Sequence, residues 1–172
     1  MELKIRDILV ISSKNFISIY KDIFKNFEKY GLKISYKEQK FPKGIAESFI
    51  IGKKFIGSDN VTLILGDNFF YGINYEIINL YKLSKKFGAK IFAYKVNEPE
   101  NYGVININKK QYVESIEEKP KKPKSKYVAT GLYVYDNQVV EIVKKQKPSK
   151  RGELEITDLN NLYIKQKKLE AI

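Results

Sequence analysis

The first regular feature is Ile5 to Ser12, a mostly apolar, β-branched run that predicts a buried strand. Ser12, Ser13 and Asn15 supply turn and N-cap chemistry after it. Phe16, Ile19, Tyr20, Ile23, Phe24, Phe27 and Tyr30 then recur at spacings of three and four, which predicts an amphipathic helix with a core-facing aromatic stripe. Gly31 closes it. Leu32, Ile34 and Tyr36 alternate with polar residues as a short strand. Pro42 and Gly44 fix the next loop, and residues 45 to 55 read as a second helix. Val61 to Leu65 is a continuous apolar strand that stops abruptly at Gly66-Asp67-Asn68. Residues 75 to 87 predict a helix closed by Gly88, and 90 to 96 the next strand. This β-α-β-α-β-α-β order predicts an α/β fold with a parallel sheet and covering helices.

After residue 100 the rhythm changes. Residues 102–107, 112–118 and 127–135 read as strands with no helix between them, a β-rich section with antiparallel pairing or an extension of the sheet. Residues 138–147 and 156–167 close the chain as helices. A single domain is expected, with 1–100 as its βα part and 101–172 as its β-rich part.

Composition narrows the chemistry. The sequence holds no histidine and no cysteine. Imidazole bases, Ser-His triads, disulfides and thiolate metal sites are therefore excluded. Any metal must be held by oxygen ligands, which favours Mg²⁺. The net charge of +12 suggests a nucleic-acid partner. However, only two arginines, Arg6 and Arg151, stand among the 32 basic residues, and arginine is the usual reader of phosphate and guanine. No nucleic acid is expected. No apolar run is long enough to span a bilayer, and no membrane association is expected; a cytoplasmic location fits the lack of cysteine.

Asp67 is the first candidate for chemistry, since ligands of open α/β sheets bind at the carboxyl ends of strands. Read alone, Gly66-Asp67-Asn68 is a turn first, because all three residue types favour turns. Gly44, at a helix entry, is open to two readings: a close backbone approach by a ligand, or a tight turn.

Several stretches in order alter that balance. They are Gln39 with Gly44-Ile45-Ala46-Glu47-Ser48-Phe49, Leu65-Gly66-Asp67-Asn68-Phe69-Phe70-Tyr71-Gly72, and Tyr102-Gly103-Val104. Glu117-Glu118-Lys119-Pro120, Thr130-Gly131-Leu132-Tyr133 and Arg151-Gly152-Glu153-Leu154-Glu155-Ile156-Thr157-Asp158 follow. Together they resemble the sugar-nucleotide pyrophosphorylases, of the glucose-1-phosphate thymidylyltransferase type, from about Ile5 to Leu169.

The resemblance implies a Rossmann-like nucleotide-binding sheet with a β-rich sugar-binding part. It implies nucleotidyl transfer, in which glucose 1-phosphate attacks the α-phosphorus of dTTP to form dTDP-glucose and pyrophosphate with Mg²⁺, for dTDP-sugar and polysaccharide synthesis. By motif, Asp67 is implied as Mg²⁺ ligand and nucleotide contact, Gln39 as reader of the thymine edge, and Gly44 as the close approach to the base. Tyr102 and Gly103 are implied as the sugar-contact turn, Glu118 as acceptor for glucose hydroxyls, and Lys119 as cation for the sugar phosphate. Ala129 falls in the sugar pocket and Arg151 on the phosphate side. Asp67 and Lys119 are the implied catalytic residues.

Against that family pattern, the sequence lacks the opening strand with its Gly-rich phosphate loop and the later aspartate of a Trp-x-Asp-x-Gly segment. The expectation is a central portion of the domain, impaired alone and acting as a homo-oligomer or with a complementary segment. The alternatives are a non-catalytic remnant that binds sugar nucleotide or an intact homologue, and a uridylyltransferase-type relative.

Overall fold

The computed structural model describes residues 5–70, 83, 86–108 and 112–172. The strands fall into two groups. β1 (Asp7–Ser12) pairs in parallel with β2 (Lys33–Glu38), with α1 (Lys14–Phe24) as the crossover. The other strands form a six-stranded sheet: β3 (Val61–Ile64), β4 (Ala89–Lys95), β5 (Gly103–Ile107), β6 (Val113–Glu118), β7 (Tyr127–Tyr135) and β8 (Leu169–Ala171). Between β2 and β3 run α2 (Glu47–Ile51) and α3 (Lys53–Ile56). Helices α4 (Val139–Lys145) and α5 (Ile156–Lys165) follow β7.

The nine-residue β7 organises the sheet. Tyr135 is level with Val61 of β3 and with Ala89 of β4, so β3 and β4 lie on its opposite edges, both antiparallel to it. Val128 is level with Tyr94 of β4 and with Val104 of β5. β5 therefore shares an edge of β7 with β3. One edge of β7 belongs to β4 along its length, and the other is divided between β3 above and β5 below. A purely parallel succession through β4, as the helix–strand alternation suggests, is not what forms. Among the described residues β3 is bonded to β7 and not to β1 or β2.

The core lies under this sheet. Tyr135 is fully buried, edge-on to Phe49 at 5.2 Å between ring centroids, and Tyr163 packs beside it at 5.5 Å. Burying a side chain such as Phe49 contributes about 1.5–3 kcal/mol. Buried Tyr135 and Tyr163 also need partners for their hydroxyls, and each donates: to Asn160 Oδ1 at 2.6 Å and to Asp136 Oδ1 at 2.8 Å. The expected helix over 45–55 is two short pieces meeting at Gly52. A Cβ there would lie 3.0 Å from the Ser48 carbonyl and 3.4 Å from Leu9 of β1. The α2–α3 pair thus touches β1 through Gly52 and β7 through Phe49.

The N-terminal unit departs furthest from the hydrophobic pattern. α1 stops at Phe24, and a 3₁₀ turn, Phe27–Tyr30, completes the predicted helix before Gly31 at φ +74° reverses the chain. Neither β1 nor α1 contains a buried residue, and Phe16, Ile19 and Ile23 are 56, 50 and 55 % exposed. Spacing makes a stripe on one face; whether something covers it depends on neighbours far away in sequence. The aromatic stripe is therefore not core here. The predicted helix over 75–87 falls mostly outside the described residues. Among those described, no helix is long and apolar enough to cross a membrane.

Candidate active site

The divided edge of β7 is where the candidate residues gather. β3 leaves β7 at Leu65, whose amide donates to the Gly131 carbonyl at 2.9 Å. Three residues further along β7, Val128 is level with Val104, which brings Gly103 level with Ala129. Opposite this point the β4–β7 register shifts: Ile91 is level with Tyr133 but Ala93 with Ala129, so two residues of β4 match four of β7. Diverging strands open a crevice at a sheet edge, and irregularities of this kind often re-aim side chains there. The Thr130 hydroxyl lies buried at this irregularity, without a hydrogen-bond partner among the described residues.

Asp67 stands exposed on the β3 side of the crevice. Its orientation comes from Asn68, whose Nδ2 donates to Asp67 Oδ1 at 2.8 Å while its Oδ1 accepts from the Gly131 amide at 2.9 Å. A Cβ at Gly131 would sit 2.5 Å from Asn68 Nδ2, so any larger residue there displaces this side chain. Gly66-Asp67-Asn68 is thus a turn tied by Asn68 to the neighbouring strand.

The β5–β6 side supplies the second group. Gly103 is level with Glu118, and the Lys119 amide donates to the Tyr102 carbonyl at 3.0 Å. Lys119 adopts φ +44°, a left-handed conformation that costs a side-chain-bearing residue about 1–2 kcal/mol and ends β6 sharply. Thr157, in the first turn of α5, donates to Glu118 Oε2 at 2.6 Å. Tyr133 lies below them. Burial pushes its phenol well above the usual tyrosine range, and the Glu118 charge adds to that rise. Ala129 is half-buried on β7 opposite Ala93.

The third group is the loop before α2. Gln39 Nε2 donates to Glu47 Oε2 at 2.7 Å and to the Gly44 carbonyl at 3.3 Å. Gly44 has φ +96°, and its missing Cβ would fall 2.4 Å from the Leu154 carbonyl oxygen. The Leu154 amide donates to the Lys43 carbonyl at 2.7 Å, and the Ala46 amide to the Leu154 carbonyl at 3.2 Å. The left-handed turn at Gly44 thus lets the Leu154 backbone come close on its Cβ side. Among the described residues no hydrogen bond joins Gln39 to Asp67 or Glu118; Leu154, three residues before Thr157, is the link between this loop and the crevice. Arg151 is tied to acidic neighbours, donating to Glu153 Oε2 at 2.9 Å with Glu155 at 3.8 Å. The Glu153 hydrogen bond, then the Glu155 charge, raises its pKa further.

As a metal site the crevice offers the exposed carboxylate of Asp67, since Glu118 across from it is already bonded by Thr157. Among the described residues no group of three or more acidic side chains is arranged to hold an ion. A single carboxylate fits a hard cation that takes its remaining oxygens from phosphates and water.

The whole of this sequence, residues 1–172, matches the model of one protein family, described as nucleotidyl transferase. The chain belongs to the nucleotidyl transferase family. A curated relative, the glucose-1-phosphate thymidylyltransferase of Neisseria meningitidis serogroup A, is 48 % identical over 160 residues, covering 93 % of this chain and 56 % of the relative. The enzyme of the same name from Mycolicibacterium smegmatis is 42 % identical over 167 residues, covering 97 % and 58 %. This nucleotidyl transferase chain thus spans about half the length of the curated relatives it matches. A Bacillus anthracis structure assigned as a glucose-1-phosphate thymidylyltransferase and solved with sucrose superposes with a TM-score of 0.89 at 38 % identity, covering 99 % of this chain and 70 % of that one. A UDP-glucose pyrophosphorylase structure complexed with UDP-glucose shares the fold, with a TM-score of 0.81 at 22 % identity, covering 99 % of this chain and 73 % of that one.

Within that fold, three supporting residues carried no individual role in the sequence reading: Asn68, Glu47 and Thr157. Each lies inside a stretch that carried the resemblance, but spacing gives no sign of which neighbour a polar side chain will bond.

Proposed function

We propose that this chain forms the sugar-side and base-side walls of a site that makes dTDP-glucose from dTTP and glucose 1-phosphate. The observation that supports the reading is the divided edge of β7, along which β3, leading to Asp67, ends where β5 begins at Gly103, level with Glu118, in a chain 48 % identical to a thymidylyltransferase. In this reaction a phosphate oxygen of glucose 1-phosphate attacks the α-phosphorus of dTTP. The bond from that phosphorus to the bridging oxygen breaks, and pyrophosphate leaves with the electron pair. The barrier is lowered by alignment and by cations near the phosphates.

In this reading Gln39 reads the thymine edge, held in place by Glu47, and Gly44 lets the base approach the backbone. Tyr102 and Gly103 border the sugar, and Ala129 lines its pocket. Glu118 accepts from glucose hydroxyls, and the Lys119 ammonium faces the sugar phosphate. Asp67 would hold Mg²⁺, which when bound offsets charge on the phosphates.

We further propose that transfer needs a complementary polypeptide segment. The exposed stripe of Phe16, Ile19 and Ile23 and the separation of β1 from β3 among the described residues support this, since exposed apolar faces and open strand edges favour pairing. The test mixes the purified 172-residue chain with dTTP, glucose 1-phosphate and Mg²⁺, alone and with the part of the N. meningitidis relative outside the matched stretch. Binding of dTDP-glucose by the chain alone, with turnover only in the mixture, is the expected result. Turnover by the chain alone removes the need for a complement, and absence of dTDP-glucose binding removes the site. Competition between dTTP and UTP decides the base.

A further inference from the structure

We infer that Thr157 is a positioning residue for sugar recognition: its hydroxyl holds the Glu118 carboxylate in one orientation and leaves the second carboxylate oxygen to receive a hexose hydroxyl. The inference rests on the reading of Glu118 as the sugar acceptor.

Thr157 is 5 % exposed, and its Oγ1 lies 2.6 Å from Glu118 Oε2, the separation of a strong hydroxyl–carboxylate bond. A threonine hydroxyl has one proton, and here Glu118 receives it. Toward any ligand Thr157 can then only accept, while Glu118 keeps Oε1 as an acceptor. Glu118 itself is on the exposed side of β6 and without this bond would sample several rotamers. Fixing one rotamer before the ligand arrives removes that ordering cost from binding.

The helix that carries Thr157 is itself fixed to the strand that carries Glu118. Asn161, one turn further along α5, accepts from the Ile116 amide at 2.9 Å and donates to the Ile116 carbonyl at 2.7 Å. This pair of bonds clamps β6 two residues before Glu118. Ile156 and Leu159 on either side of Thr157 are buried in the core. Gly103 lies beside the pair: a Cβ there would be in van der Waals contact with Thr157 Oγ1 at 3.4 Å and Glu118 Oε2 at 3.5 Å.

The experiment titrates the full 172-residue chain with dTDP-glucose and, separately, with dTDP, which lacks the sugar. Thr157→Val removes the donor at nearly constant volume, Thr157→Ser restores it, and Thr157→Ala is run beside them so that a packing fault peculiar to valine does not decide the result. Thr157→Val and Thr157→Ala are expected to raise the dTDP-glucose dissociation constant about tenfold while leaving dTDP within about twofold, and Thr157→Ser to restore the sugar-dependent difference. Equal loss for both ligands, or no loss for either, overturns the inference. Glu118→Ala separates it from its basis. If Glu118→Ala weakens dTDP-glucose selectively and Thr157→Val does not, the positioning role alone falls. If Glu118→Ala has no selective effect, or the wild-type chain binds neither ligand, the reading of the sugar site falls with it.

Discussion

Asn68 joins two strands through one side chain: its Oδ1 accepts from the Gly131 amide at 2.9 Å, and its Nδ2 donates to Asp67 at 2.8 Å. A methyl group at Gly131 would meet that side chain at 2.5 Å. The Asn68 side chain can swing aside more cheaply than backbone can move. Gly131→Ala is therefore expected to cost about 1–3 kcal/mol, the loss of these bonds and an unpaired buried amide. Its larger effect falls on Asp67, released from its orientation. A melting curve beside a Mg²⁺-dependent titration with dTTP checks both, and unchanged Mg²⁺ dependence would remove the role given to Asn68.

Gly44 presents the harder case, because the atoms its Cβ would meet are the backbone of Leu154, at 2.4 to 2.9 Å, with φ at +96°. Neither obstacle can yield without moving a strand-like backbone contact. Gly44→Ala is expected to destabilise by about 3 kcal/mol and to break the Lys43–Leu154–Ala46 bonding. Chemical denaturation measures it; a loss under about 1 kcal/mol would show that the loop relocates freely.

Lys119 should separate stability from function. At φ +44° glycine is at ease and lysine is not. Lys119→Gly is expected to raise stability by about 1 kcal/mol while weakening glucose 1-phosphate binding, whereas Lys119→Ala weakens binding without the gain. Thermal melts and ligand titrations of the two variants decide the matter.

Alkaline pH should unfold the chain through its buried phenols. Burial raises the pKa of Tyr133, Tyr135 and Tyr163 above the ordinary value near 10. A raised folded-state pKa contributes stability that is fully present below the unfolded value and is lost as pH rises through the folded one. The melting temperature is expected to hold up to about pH 10 and to fall steadily above it. Tyr133→Phe should flatten that fall, and an identical slope in the variant would contradict the assignment.

Hydrogen exchange should divide the molecule at β3. The amides of β7, between neighbours on both edges and over a buried core, are expected to exchange only on global unfolding. Those of β1 and β2, a two-stranded pair with no buried side chain, should exchange far sooner. Equal protection in both would mean that the N-terminal unit is stabilised by contacts beyond those described. Addition of the complementary segment should slow exchange in β1 and β3 together.

Much of the element order was legible in the chain. The strands at 5–12, 61–65 and 127–135 announced themselves by apolar, β-branched runs, and the ordered motifs pointed to the family. The errors have a common origin. The expected helix over 45–55 runs through Gly52, which stands at φ −81° and ψ 0° between α2 and α3. The stripe Phe16, Ile19, Ile23 was read as core, although periodicity reports only that a face is apolar.

By itself, the sequence determined the chemistry available: oxygen ligands and lysine cations with no imidazole or thiol, on alternating strands and helices whose motifs name a family. Tertiary structure decided which strands share an edge, because pairing Val61 with Tyr135 closes a separation that no local pattern records. It also decided which polar side chains support which. The bonds from Asn68 to Gly131 and from Thr157 to Glu118 span 63 and 39 residues. A side chain's bonding partner is a property of the packed chain, and it is through such partners that an exposed carboxylate at a strand end becomes an oriented one.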